Sequence, residues 1–444
     1  MRHDGSPGCP YRNRELNIMT SETQEISRME RFRERGLKYV LAPAALVILY
    51  VFFGIFGRNY FSYPTLVNII NAAYYIGFIS MGVTFVLISG GTDLSVGTVM
   101  LASTLIGGVA MKHGLPMLPS LLLIILVGMA FGFFNGIIIS RLHLPPFIAT
   151  MGTMMISMGI GSIVSNVQSA TFPIRGQPGG WFKSIFLYIS PTGTTIPTGA
   201  ILLLLVAIVC HIILTRTKLG RYTYAIGSNI EAARLSGVNV QKWQMWVYVI
   251  SGITAGIGGI SYAAIYTTIL PAQGQGFELY AIAAAVIGGT SMSGGVGNIW
   301  GTIIGVFIMS VLSTGLPAMN LQAHWQTFFT GIIVIGAVLL DRYRTQKAEE
   351  VRVETPADVY KAEMSVKITA MQRELKAAKD ANDRAKIEKL QKQIETAKHE
   401  LKVKYAAMKA QEKAEQAKLR AEERAADREF AEMIKREEHP MDKK

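Results

Sequence analysis

Carboxylates are scarce through the middle of the sequence. From residue 36 to residue 344 there are four, Asp93, Glu231, Glu278 and Asp341. A water-soluble domain carries charge on about a quarter of its residues, so an ordinary soluble globule is excluded for this stretch. Cysteine is nearly absent too: Cys9 and Cys210 are the whole complement. A disulfide framework is therefore excluded, and no cluster of thiols marks a metal site. No G-x-x-x-x-G-K-[ST] phosphate loop occurs anywhere, so the chain is not expected to hydrolyse ATP itself or to act as an enzyme. Residues 1–38 contain no apolar core segment and are not read as a cleavable signal peptide. Met19 offers a second candidate start.

What is present is apolar length. Half of the 444 residues are hydrophobic, the formal net charge is +13, and the mean hydropathy is +0.31. Apolar runs of about 20 residues read as membrane helices. Ten runs are visible, at 39–56, 66–89, 94–111, 119–140, 146–167, 198–214, 243–265, 279–288, 299–316 and 325–340, the eighth markedly short. Backbone polar groups in lipid must be satisfied internally, so these are helices, and the expected fold is an all-α membrane protein. Three regions follow: a basic leader (1–38), a membrane body (39–344) and a charged tail (345–444). With ten spans, the leader, Arg141 and His143, the basic residues from Arg216 to Lys242, and Arg342 and Arg344 all fall on one side. By the positive-inside tendency that side is the cytoplasm, and both termini of a multi-pass inner-membrane protein lie there. The other side carries Arg58, Lys112, Arg175 and Lys183.

A repeat interrupts the spans. Shifted by 198 positions, "GGTDLSVG" at 90–97 falls on "GGTSMSGG" at 288–295. Gly90, Gly91, Ser95 and Gly97 match Gly288, Gly289, Ser293 and Gly295. Paired Gly-rich breaks in equivalent places of two halves point to a transport pathway. A helix restarting after such a break leaves unpaired N–H groups. Thr92, Asp93 and Ser95, and Thr290, Ser291 and Ser293 in the second copy, are the expected acceptors. Asp93 is open to two readings, a cap on a turn near the cytoplasmic boundary or a gate in the pathway. Asn71, Asn135, Thr150 and Thr153 are polar groups within spans that line a path or bond helix to helix.

Between the sixth and seventh spans, "TRTKLGRYTYAIGSNIEAARLSGVNVQKW" holds one of the four acids, Glu231. Ser228 or Asn229 is placed to cap a short helix opened by Ile230 and Glu231 and stopped by Gly237. Ala232, Ala233 and Leu235 suit insertion into a partner's groove; an ordinary solvated helix is the plainer reading. On the opposite side, Arg175 and Lys183 in the 170–197 loop are candidate contacts for an acidic partner surface.

"GGTDLSVG", "LGRYTYAIGSNIEAARLSGV" and "AIAAAVIGGTSMSGGVGNIWGTIIG" resemble the permease subunits of bacterial ATP-binding cassette importers for monosaccharides, of the ribose, xylose, galactose and inositol type. The resemblance covers residues 39–344. It implies the ten-helix type II importer fold with its internal repeat. It also implies a permease dimer, homodimeric or heterodimeric, with two ATP-binding subunits inside and a soluble sugar-binding protein outside. The chain itself then needs no cofactor, since ATP is bound by the partner. The resemblance assigns Glu231, Ala232, Ala233 and Gly237 to docking of the ATP-binding subunit. A branched-chain amino-acid permease, a self-sufficient secondary transporter and a scaffold acting through the tail are the rival readings.

The tail lies beyond the resemblance and is rich in Ala, Lys, Glu and Arg. Ile368, Met371, Leu375 and Ala378, then Leu390, Ile394, Ala397 and Leu401, form two apolar stripes out of register. One long helix with a stutter and an antiparallel hairpin both fit. Acids nearly balance bases here, so nucleic-acid binding is not expected.

Overall fold

The computed structural model describes residues 42–349, 356–380 and 384–438. The basic leader, with Cys9 and Met19, lies outside the described residues. Two units separate between Lys347 and Ala348.

Within the first unit, among the described residues, ten apolar helices occupy the ten expected places. They are α1 (Ala42–Phe56), α2 (Tyr63–Ile88), α3 (Val96–Lys112), α4 (Met117–Ser140), α5 (Pro146–Val164), α7 (Gly199–Arg216), α10 (Val240–Tyr266), α11 (Phe277–Ile287), α12 (Ile299–Ala318) and α13 (Ala323–Glu349). Among the described residues, seven are long and apolar enough to cross a membrane, while α1, α3 and α11 are shorter. The four-residue α6 (Lys183–Phe186) sits in the loop after α5; α8 (Lys218–Ser228) and α9 (Ile230–Leu235) follow α7.

α2 is the axis of this unit. Ser62 caps it by accepting from Thr65 N at 3.4 Å, and Pro64 stands in its first turn, where no N–H partner is lost. Every residue from 71 to 88 is buried, the pattern of a helix apolar all round. α10, α12, α11 and α7 surround it, and the Thr84 and Thr302 hydroxyls join α2 to α12 at 2.7 Å. α4 and α10 meet through glycines. A Cβ on Gly128 or Gly252 would overlap the carbonyl of the other, and one on Gly136 would stand 2.8 Å from the Met245 carbonyl. Small residues let the two backbones touch, which is how helices associate when lipid offers no hydrophobic gain. Outward faces carry apolar side chains such as Leu204, Leu205, Ile163 and Ile335, as a lipid-facing surface requires.

Chain direction sorts the connections to two ends. At one end lie the α2–α3 and α11–α12 turns, the α4–α5 turn, and α8 and α9. At the other, β1 (Ala170–Thr171) pairs antiparallel with β4 (Thr268–Ile269), Ala170 opposite Ile269. There too β2 (Tyr188–Ile189) pairs with β3 (Thr195–Ile196). After β4 the chain turns back inward. α11 has 11 residues, about 16 Å against a hydrocarbon core of about 30 Å. It is a half-helix whose start lies within the body of the bundle.

The second unit is a helical hairpin of α14 (Pro356–Asp380) and α15 (Arg384–Glu438); residues 381–383, between the two apolar stripes, lie outside the described residues. Ala357 N donates to Glu412 Oε1 at 3.0 Å, Lys361 and Lys404 lie over the Tyr405 and Tyr360 rings, and Ile368 packs with Ile394 and Ala397. Partners run in opposite sequence order, so of the two arrangements that fitted the stripes, the antiparallel hairpin is the one adopted.

Candidate functional site

The two glycine-rich turns and α8 meet at one point. α2 closes at Ile88; Gly90 takes φ +79°, and Gly91 N then donates to the Val86 carbonyl at 3.0 Å. This left-handed closure is a glycine position. In the second copy the helix runs one residue further, to Ile287, and the left-handed residue is Gly289 (φ +93°) rather than the aligned Gly288. Gly288 serves packing instead, since a Cβ there would overlap the Gly301 backbone.

Backbone meets backbone where the turns join. Gly295 N donates to the Ile88 carbonyl at 2.9 Å. α8 places Gly227 against the same pair: a Cβ there would overlap the Ile88 oxygen and stand 2.6 Å from Gly295 N. A Cβ on Gly294 would stand 2.6 Å from the Gly227 carbonyl and 3.0 Å from Gly90 Cα. One turn earlier on α8, the Tyr224 hydroxyl donates to the Gly297 carbonyl at 2.6 Å. Burial raises that phenol's pKa above its usual value.

Asp93 is 3% exposed. Its Oδ1 accepts from Ser95 N at 3.0 Å and Ser95 Oγ at 2.7 Å, and its Oδ2 accepts from Ser251 Oγ at 2.7 Å. Ser95 Oγ in turn accepts from Asn135 Nδ2 at 2.9 Å. The carboxylate therefore ties the turn to α10 and, through Ser95, to α4. Ser95 itself makes no capping bond to α3, and Thr92 contributes its carbonyl, which accepts from Tyr248. Ser251 is 11 residues into α10, from 240 to 251, about 16 Å along its axis. Asp93 is thus buried among α3, α4 and α10, about three turns from the start of α10.

The second turn is held by a residue that sequence reasoning missed. Ser291 stands where the repeat has Asp93, and Ser293 N donates to Ser291 Oγ at 3.2 Å, as Ser95 N does to Asp93. The carboxylate comes from α13: Asp341 Oδ2 accepts from Ser291 Oγ at 3.1 Å and Met292 N at 2.9 Å. Thr290 Oγ1 is buried without a partner, and α12 is capped by Asn298, which accepts from Gly301 N at 2.6 Å. The expected capping by Thr290 and Ser293 is not found.

Gly97 opens α3 against the start of α11. A Cβ there would stand 2.9 Å from Glu278 Oε2 and 3.0 Å from Phe277 Cβ. Glu278 is 6% exposed, and both its oxygens accept from Gly276 N, at 2.9 and 3.0 Å. It meets the unpaired amides and positive end of α11. The Phe277 ring packs with Tyr75 and Tyr262 at centroid distances of 5.4 and 5.8 Å. Neither Glu278 nor this aromatic group was singled out from sequence, because the residues are scattered over three helices. Of the polar span residues, Asn135 joins the Asp93 network, Thr150 bonds the Pro146 carbonyl, and Asn71 Oδ1 and Thr153 Oγ1 are buried without partners.

The loop helix α9 is capped by Asn229, whose Oδ1 accepts from Ala232 N at 2.9 Å. Gly237 follows it with φ +80°. Glu231 pairs with Arg234 at 3.1 Å on the exposed face. Ala233 is a correction. It is 5% exposed and packs inward on Ile226 and Val240, so it cannot form part of a docking surface. On the exposed side of α9 stand Glu231, Ala232 and Leu235, the last 88% exposed. Lys183 is a second correction. It is buried, its amine donates to Thr267 Oγ1, and burial, then the Arg175 charge, lowers its pKa. Arg175 remains half-buried. α6 is thereby pinned to the end of α10, and the Lys183 amine is turned to Thr267 rather than outward.

A family described as branched-chain amino acid transport system / permease component matches residues 65–338, more than half of the chain. The chain is 32% identical over 305 residues to the Autoinducer 2 import system permease protein LsrC of Yersinia pseudotuberculosis serotype O:1b (strain IP 31758), covering 68% of this chain and 83% of that one. It is 31% identical over the same length to the protein of that name from Yersinia pestis (strain Pestoides F), with the same coverage. No solved structure matches the chain.

Proposed function

The chain belongs to the family of branched-chain amino acid transport system permease components, and from that premise we propose how it works and what it carries. It is a multi-pass permease component of an importer whose ATP-binding subunits and substrate-binding protein are separate chains. The proposed cargo is a monosaccharide-sized, hydroxyl-rich molecule. Two observations support this over a branched-chain amino acid. The relatives are named for import of autoinducer 2. Among the described residues, the spans carry no lysine or arginine away from their ends, and buried Asp93 and Glu278 already accept from the chain's own donors. A zwitterion would find no free counter-charges there; a neutral polyol needs none.

The observation that carries the mechanism is the contact of Gly227 with Ile88 and Gly295. In the proposed cycle the end bearing α8 and α9 faces the cytoplasm, with both termini. An ATP-binding subunit engages α9 through Glu231, Ala232 and Leu235, and Gly237 lets the chain turn away behind it. α9 adjoins α8, and α8 bears on both turns, so a displacement of α9 reaches the 90–97 and 288–295 segments without a flexible link. A partner that binds one arrangement of this junction better than another shifts the equilibrium between them. Two permease chains enclose the path, and Arg175 contributes to the binding-protein contact at the opposite end.

Vesicles holding the chain, its ATP-binding subunits and its binding protein test the reading. They are expected to accumulate labelled pentose, hexose or autoinducer 2 only with ATP, and Glu231→Ala or Gly237→Val is expected to abolish uptake without loss of membrane insertion. Accumulation of leucine alone would overturn the cargo assignment. Uphill accumulation by the chain without its ATP-binding subunits would overturn the permease mechanism. Undiminished uptake by both variants would remove the docking role.

A further inference from the structure

Two adjoining cavities open where the turn between α4 and α5 meets the start of α10. One, of about 370 Å³, is lined by His143, Arg234, Asn239 and Gln241 among others. The second, of about 340 Å³, shares Asn239 and Gln241 and adds Arg141, Lys242 and Trp246. Four basic side chains thus converge from three chain segments. The acid beside them, Glu231, is taken by Arg234 at 3.1 Å. Among the described residues no ion pair reaches Arg141, His143 or Lys242; Lys242 has only the face of Trp243, 5.4 Å from its centroid.

Exposed apolar side chains adjoin these residues in sequence. Leu142, Phe147 and Ile148 are 62%, 57% and 59% exposed, and Trp246 is 43% exposed. Phe147 and Ile148 open α5, and Trp246 lies two turns into α10, so these side chains sit at the helix ends where a bilayer's hydrocarbon gives way to headgroups. A ring-bearing residue with one polar edge is favoured at that level. We propose that the two cavities form a site for an anionic phospholipid, its phosphate among Arg141, His143 and Lys242 and its acyl chain along Phe147, Ile148 and Trp246. A free phosphate would satisfy the bases but has no use for the exposed apolar side chains; one lipid molecule uses both. The site depends on the membrane location of the chain, not on the cargo. Its place beside α9, with Arg234 in the wall, makes the lipid a clamp between the α4–α5 turn and the docking helix.

The test is native mass spectrometry of the full chain in neutral detergent, titrated with phosphatidylglycerol and with phosphatidylcholine of the same acyl chains. The wild type is expected to retain phosphatidylglycerol preferentially. Each basic residue near a headgroup is worth about fivefold in affinity, so R141Q/K242Q is expected to bind phosphatidylglycerol roughly 25-fold more weakly. R141K/K242R, which conserves charge, is expected to keep the preference and separates lost binding from misfolding. Equal retention of the two lipids by the wild type, or an unchanged preference in R141Q/K242Q, overturns the proposal. Displacement of the lipid by an equimolar amount of inorganic phosphate would assign the cavities to a soluble anion and also overturns it. So does loss of the lipid when ATP-binding subunits are added, which would give the surface to that partner.

Discussion

Replacing Gly227 by alanine adds one methyl group at the place where α8, the α2–α3 turn and the α11–α12 turn meet. The methyl carbon would coincide with space held by the Ile88 carbonyl oxygen and would stand 2.6 Å from Gly295 N. Neither of these atoms is the end of a flexible side chain, so backbone must move. Relief requires either withdrawing α8, which lengthens the Tyr224 bond to the Gly297 carbonyl, or parting Gly295 N from the Ile88 carbonyl. Overpacking of this kind costs about 1–3 kcal/mol, and loss of a buried backbone hydrogen bond adds about 1–3 kcal/mol. The first expected outcome is a lower thermal midpoint of the purified chain. The second is specific to the junction: vesicles containing the assembled importer should retain bound ATP-binding subunits and hydrolyse ATP, yet take up cargo at least tenfold more slowly. Measuring subunit retention, hydrolysis and uptake on the same preparation separates broken coupling from failed assembly. Wild-type uptake with an unchanged midpoint would refute the contact as a mechanical link.

Ser251→Ala removes the hydroxyl that Asp93 Oδ2 accepts from and should cost about 1–3 kcal/mol, because a buried acceptor is left unpaired; thermal unfolding in detergent reads it, and Ser251→Thr should recover most of the loss. Asp341→Ser strips the second turn of its carboxylate and Ser291→Asp alone sets two carboxylates face to face, so each should destabilise, whereas the double variant restores one acid per turn. A double-mutant cycle should give a favourable coupling of about 0.5–3 kcal/mol; strict additivity would count against the pairing. Truncation after Glu349 removes the α14–α15 hairpin and should leave uptake by the assembled importer within about twofold, on the reading that the body alone conducts; abolished uptake by a chain still inserted in the membrane would make the hairpin part of the machine.

The spans were legible because continuous apolar length is a strong signal that needs no partner to interpret. Ten runs gave ten apolar helices, and even the short run at 279–288 corresponds to a short helix, Phe277–Ile287. The repeat was legible because glycine is required where a helix closes left-handed, at Gly90 and Gly289. The junction was not. Gly227 is a single glycine in "AIGSN" and belongs to no period; only the close approach of Ile88 and Gly295 gives it a reason. Asp341 acts across 50 residues, and it reads as an ordinary acid at the end of the last span. The resemblance assigns Ala233 to a partner surface, and residue type alone assigns Lys183 to another. In the fold, Ile226 and Val240 cover the one, because α8 and the start of α10 fold back on α9, and Thr267 engages the other from 84 residues away.

The two turns solve one problem with different residues. A break in a helix exposes amides that water cannot reach, so each turn needs a strong acceptor. The first turn carries its own in Asp93, and that carboxylate also accepts from Ser251, binding the turn into the α4–α10 pair, where glycine contacts leave little room to slide. The second turn has Ser291 in that position and draws its carboxylate from Asp341 on α13. It is therefore anchored to a peripheral helix, with 11% of its span buried against 72% for α10. α8 touches both. The pseudo-symmetric halves thus hold equivalent turns by different anchors, Ser251 of the packed α4–α10 pair for the first and Asp341 of the peripheral α13 for the second, while Gly295 N and the Ile88 carbonyl tie the two turns to each other.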